Sequence, residues 1–152
     1  MNKNALYDTI CQQLSALLDN EQDIISNMAN TSALLYQYLP DINWVGFYRN
    51  SKNALLLGPF QGKPACFHIP HNKGVCGACI TNRKIMRVND VHSFPGHIAC
   101  DADSLSEIVL PIHHHNDIIA VLDIDSLTLN RFGIEDEIGL SAVVNIFEQA
   151  IR

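Results

Sequence analysis

Apolar residues recur at helical spacing from the start of the chain. Leu6, Tyr7, Ile10, Cys11, Leu14, Leu17 and Leu18 set one stripe along a helix expected over residues 5–18. Cys11 lies within that stripe and reads as a small core side chain. A second helix is expected over 21–38, stopped by Pro40. The pattern then turns to β: "INWVGFYR" is rich in branched and aromatic residues, and "NALLLGPF" follows the polar turn "NSKN", which together predict a hairpin. "ACFHI" is expected to be a third strand, "GVCGACITNRK" a brief helix opened by glycine, and "IMRV" a fourth strand. Residues 89–106 read mostly as loop, long enough to favour a functional segment over a plain connection. "EIVLPI" and "IIAVLDIDS" are the last two strands, joined through "HHHND". An amphipathic helix over 134–151 closes the chain, with Glu135, Asp136 and Glu137 at the positive end of its dipole.

Helices at the chain's ends around about six short strands predict an α+β fold. We expect an antiparallel sheet with the terminal helices on one face and a loop-covered pocket on the other. A length of 152 residues fits one domain over 1–152. No apolar run approaches the roughly 20 residues that span a bilayer. The N-terminus breaks its apolar residues with Asp8, Gln12, Gln13 and Asp19, unlike a secretory leader, so a cytoplasmic location is expected. A net charge of -6 and ten basic residues that form no stripe argue against a nucleic-acid surface. Five cysteines without a leader are not a disulfide framework, which leaves packing, metal ligation or redox chemistry to explain them.

Four of these, Cys66, Cys76, Cys79 and Cys100, fall in the loop-rich middle. Cys76-Gly-Ala-Cys79 has zinc-ligand spacing, with His68, His71, His92 and His97 nearby, but a second paired motif is missing and no metal is expected. His113 to His115 read as a solvated hairpin tip. Cys100 stands between a segment bearing two histidines and a glycine, and Asp101. A reactive thiolate there needs positive charge or N–H groups aimed at the sulfur, which residue order does not reveal. Asp123 and Asp125 alternate with Leu122 and Ile124 and therefore share one face of their strand, opposite the apolar face. Glu107 opens the preceding strand. It lies across from them if the loop is 113–117, whereas a two-residue turn needs a bulge, for example at Pro111. A hydrated acidic sheet face accounts for these carboxylates equally well.

As an ordered set, "NWVGFY", "GPFQGKPAC", "IPHNKGVCG", "FPGHIACDADSLSEIVLPI" and "VLDIDS" resemble the free methionine-(R)-sulfoxide reductases, enzymes built on a single GAF domain. The likeness runs from Trp44 to Ser126. It implies reduction of free L-methionine (R)-sulfoxide, without a cofactor and with thioredoxin restoring the thiols; two-fold dimers are common in the family. By that resemblance Cys100 is the nucleophile, Cys66 resolves it, and Cys76 has a secondary role. Trp44 and Tyr48 cradle the methyl end of the substrate, and Glu107, Asp123 and Asp125 match its polar contacts. Cys79 departs from the family pattern.

The chemistry suits such residues, because a thiolate attacks a sulfoxide sulfur only when the oxygen is protonated or strongly hydrogen-bonded. Three crowded carboxyls favour one remaining protonated. None of the three is expected in the core, so their replacement should barely change stability. The competing expectation is a GAF-type sensory domain that binds a small ligand. Such domains generally belong to longer chains with an output module, for which this chain leaves no room beyond its closing helix.

Overall fold

The computed structural model describes residues 2–97, 100 and 102–152. Helix α1 spans Lys3–Leu17 and α2 spans Ile24–Tyr38. Their starts differ from the periodic pattern because of caps: the Asn2 side chain accepts from Ala5 N at 2.8 Å and Asp23 from Ser26 N at 2.8 Å. Strands β1 (Trp44–Asn50) and β2 (Ala54–Gly62) form the expected hairpin. After β3 (His68–Pro70) come α3 (Gly74–Asn82), β4 (Met86–Val88), a short 3-10 turn at Val91–Ser93, β5 (Ser106–His114), β6 (Asp117–Ser126) and α4 (Ile134–Ala150). The third strand is shorter than the sequence suggests: residues 64–66 run as irregular chain, Phe67 O accepts from Leu57 N at 2.9 Å, and the strand proper is His68–Pro70, paired with β2.

All neighbours in the six-stranded sheet are antiparallel, in the order β3-β2-β1-β6-β5-β4. The β5–β6 turn is the two-residue kind: His115 and Asn116 have φ of 53° and 71°, as a primed turn requires. The compensating bulge lies between Ile112 and His113, where β6 carries the extra residue Ile119, not at Pro111.

Helices α1, α2 and α4 bury one sheet face through Ile10, Leu14, Leu35, Leu140 and Phe147 against Phe47, Ile108, Leu122 and Ile124. Cys11 packs at the margin of this cluster, half-buried. The opposite face, expected to hold a loop-covered pocket, carries a second apolar cluster under α3, including Trp44, Tyr48, Ile69, Val75, Cys79 and Val121. Among the described residues no helix is long and apolar enough to cross a membrane.

Asp136 ties the two ends of the chain together. It is buried, takes hydrogen bonds from Tyr7 Oη at 2.8 Å and Gly133 N at 2.8 Å, and pairs with Lys3 and Arg131. The Tyr7 ring lies over Gly139, where a Cβ would meet it at 2.2 Å. Burial alone would raise the Asp136 pKa, but Lys3, the Gly133 amide, the Tyr7 hydroxyl and Arg131 together hold it below the ordinary range. A depressed folded pKa adds stability that is present above the unfolded value and lost as pH falls through the folded one. Asp136→Asn should therefore lower stability by about 3 kcal/mol at neutral pH, with the difference shrinking in acid, as read by urea unfolding at several pH values.

Candidate active site

The sheet register gathers the site. Trp44 on β1 is opposite Asp125 on β6, which is opposite Glu107 on β5; in the next row Gly46 faces Asp123, which faces Val109. Directly opposed residues stand on the same face, so Trp44, Tyr48, Glu107, Asp123 and Asp125 all project to the α3 side. Helix α3 adds Cys76 from above. The Cys76 sulfur and one oxygen each from Glu107 and Asp123 lie within 4.8 Å of one another. Both carboxyls are buried, at 7% and 5% exposure, while Asp125 is half-buried. The expectation that none of the three is a core side chain is thus corrected for Glu107 and Asp123: α3 and the aromatic wall cover this face.

That wall is a stack. The Trp44 ring lies 5.2 Å from Phe60 and 5.8 Å from Tyr48, both near parallel, and its Nε1 donates to Lys63 O at 3.1 Å. Gly46 makes the stack possible, because a Cβ there would sit 2.3 Å from Phe60 Cβ and 2.8 Å from Trp44 Cη2. Gly46→Ala should displace the indole, cost about 1–3 kcal/mol of stability and raise KM. Trp44 is the sole tryptophan, so its fluorescence emission reports the displacement directly.

Cys100 is bonded to Cys66, with Cα atoms 5.5 Å apart, the ordinary separation for a disulfide. Cys100 lines a narrow cleft together with Trp44, Tyr48, Cys76 and the three carboxyls; Cys66 is not among its lining residues. Asp101, beside Cys100 in sequence, lies outside the described residues, as do Ile98 and Ala99. Gly74 N donates to Gly96 O at 3.0 Å, fastening the first turn of α3 to the segment before Cys100. Asn43 holds the far side: its N donates to Asp125 O at 3.0 Å and its Nδ2 to Ser104 Oγ at 3.1 Å.

The cleft keeps its protons. Burial, reinforced by the charges of Asp123 and Asp125, pushes the Glu107 carboxyl well above the usual carboxylate range. Burial raises Asp123 as well, partly offset by hydrogen bonds with Glu107 and Cys76. Burial and the same carboxyls push the Cys76 thiol far up, and burial raises the Tyr48 phenol. At neutral pH Cys76 is therefore a proton donor and a poor thiolate nucleophile.

The zinc-type set is not assembled. Cys79 is buried in the apolar cluster with its thiol pushed up to about 12, and His68 and His92 are exposed on the surface. The metal-capable donor group among the described residues is Cys76, Glu107 and Asp123. Lys63, His97 and Ser104 also line the cleft and were not singled out for it from the sequence. Lys63 and Ser104 lie within quoted motifs, but nothing in their spacing marks them; they arrive through loop packing. His97 has a pKa lowered by burial and by His92, which keeps its imidazole neutral.

A curled antiparallel sheet with a cleft between one face and an overlying short helix and loops defines a GAF-type small-molecule site. Residues 3–151 match the GAF domain family. The free methionine-R-sulfoxide reductase of Escherichia coli is 50% identical over 151 residues, covering 99% of this chain and 92% of that protein. The structure of fRMsr of Staphylococcus aureus in complex with substrate superposes with a TM-score of 0.92 at 49% identity, over 96% of this chain and 95% of that one. The free methionine-R-sulfoxide reductase from Neisseria meningitidis, in complex with its substrate, gives 0.95 at 38% identity, over 99% and 91%. The chain belongs to the GAF domain family and, within it, to the free methionine-R-sulfoxide reductases.

Proposed function

We propose that the protein reduces free L-methionine (R)-sulfoxide to L-methionine, with Cys100 as nucleophile, Cys66 as resolving thiol and a thioredoxin-type dithiol as final reductant. The observation that carries this is one cleft lined together by Cys100, an aromatic wall and Glu107, whose carboxyl is held well above the usual range, with Cys100 already bonded to Cys66.

In the reduced protein the substrate's methyl and sulfur lie against Trp44 and Tyr48, with the oxygen towards Glu107. The Cys100 thiolate attacks the sulfoxide sulfur as Glu107 supplies a proton to the oxygen. As the substrate's S–O bond breaks the oxygen passes to the Cys100 sulfur, the sulfur–sulfur bond made by the attack breaks in the same step, and methionine leaves with Cys100 as sulfenic acid: one thiol and one sulfoxide become one sulfenic acid and one thioether. The Cys66 thiol then displaces that oxygen as water, forming the disulfide. Two thiols of the reductant return both cysteines to the reduced state. Asp125 and Asp123 offer negative charge to the substrate ammonium, and an amide nitrogen in a peptide would lose that pairing, which selects free methionine. Cys76 acts as a hydrogen-bond donor beside Asp123. A domain of 1–152, cytoplasmic, where thioredoxin is reduced, and paired as a dimer fits this role.

Purified protein with a thioredoxin regenerating system should consume the (R) epimer of free methionine sulfoxide and leave the (S) epimer nearly untouched. Trp44 and the acids surround a chiral sulfur, so one epimer alone can present both sulfur to Cys100 and oxygen to Glu107. Chiral amino-acid analysis reads this. Equal consumption of both epimers would defeat the pocket assignment, and saturable binding without turnover would point to a sensory domain.

A further inference from the structure

Resting on the reductase reading above, we propose that the protein reductant attacks Cys66, not Cys100, and docks over Phe67. Three observations converge on this. Cys100 is among the residues that line the substrate cleft, whereas Cys66 packs at the margin of the neighbouring apolar cluster and is not among them. Phe67, the residue after Cys66, is 74% exposed, more than any other large hydrophobic side chain among the described residues. Phenylalanine is among the residue types enriched at protein–protein interfaces. On the Cys100 side the approach runs through the substrate cleft, lined by Trp44, Tyr48, Cys76 and the three carboxyls, which is built for a small molecule.

Thiol–disulfide exchange proceeds along the S–S axis. For attack on Cys66 the incoming sulfur approaches on the side of Cys66 opposite Cys100. A reductant thiolate forms a bond to Cys66 Sγ, the Cys66–Cys100 bond breaks, and Cys100 departs with the electron pair as thiolate. The second reductant thiol, losing its proton, then attacks the mixed disulfide and Cys66 leaves as thiolate; the reductant ends oxidised and both cysteines reduced. Cys100 is thus released into the cleft in its nucleophilic form before the reductant has left. Recycling and substrate entry use opposite sides of one disulfide.

The test is trapping with a thioredoxin whose second active-site cysteine is replaced by serine, incubated with the oxidised full chain and mapped by peptide mass spectrometry. The expected adduct joins thioredoxin to Cys66, with Cys100 alkylatable. An adduct on Cys100 overturns the proposal, as does absence of any adduct in protein that forms methionine with dithiothreitol. Dithiothreitol-driven methionine formation measures the reductase reading by itself, so the two failures are distinguishable. Phe67→Ser should raise the KM for thioredoxin about tenfold and leave dithiothreitol-driven turnover unchanged, while Phe67→Leu should restore the thioredoxin KM. An unchanged thioredoxin KM in Phe67→Ser removes the docking surface.

Discussion

Cys100→Ser should release no methionine even in a single turnover, a loss of about 10³-fold or more, because a neutral hydroxyl is a far weaker nucleophile than a thiolate. Cys66→Ser should behave differently: about one methionine per active site, then a stall with thioredoxin, since the sulfenic acid on Cys100 has lost its partner. Rapid-quench amino-acid analysis separates the two. Cys76 and Cys79 are not expected to replace either. Burial and the neighbouring acids hold Cys76 as a thiol, and Cys79 is sealed in the apolar cluster. Their serine variants should therefore retain the burst. A full burst from Cys100→Ser would remove Cys100 from the nucleophile's role.

The second large effect concerns Glu107. Glu107→Gln keeps the shape and removes the proton, so turnover should fall roughly 10²-fold or more, the usual contribution of a general acid. Wild-type activity should also decline as pH rises through a carboxyl pKa above the ordinary range, and that limb should vanish in the variant. Stability should move the opposite way. A raised folded pKa means stability that is complete below the unfolded value and is lost as pH rises through the folded one. Glutamine escapes that loss, so Glu107→Gln should unfold at a higher temperature than wild type at neutral pH. Scanning calorimetry across pH checks the sign. Asp125→Asn, on a half-buried residue, should lose activity with a smaller change in stability.

The sign of that stability effect shows where sequence reasoning stopped short. Alternation puts Asp123 and Asp125 on one face from local periodicity alone, whereas Glu107 lies across from them only if the turn keeps the right register. Their burial depends on α3 lying over that face and on Gly46 admitting the Trp44 indole, contacts between segments far apart in the chain. The short strands and α3 were legible because branched and apolar runs are local. Helix starts shifted because Asn2 and Asp23 act as caps, a side-chain signal that apolar spacing does not carry. The β5–β6 turn was left open between two registers, and positive φ at His115 and Asn116 settles it as the tighter one. The pairing of Cys66 with Cys100 spans 34 residues and two loops, and no spacing rule reaches it; the family resemblance alone pointed there.

The most direct measurement is a disulfide map of the fully reduced protein after one equivalent of free L-methionine (R)-sulfoxide. The expected result is one equivalent of methionine and a single linked peptide pair joining Cys66 to Cys100, with Cys11, Cys76 and Cys79 alkylatable. Methionine released with Cys100 still alkylatable, or with Cys100 linked to Cys76 in place of Cys66, would contradict it.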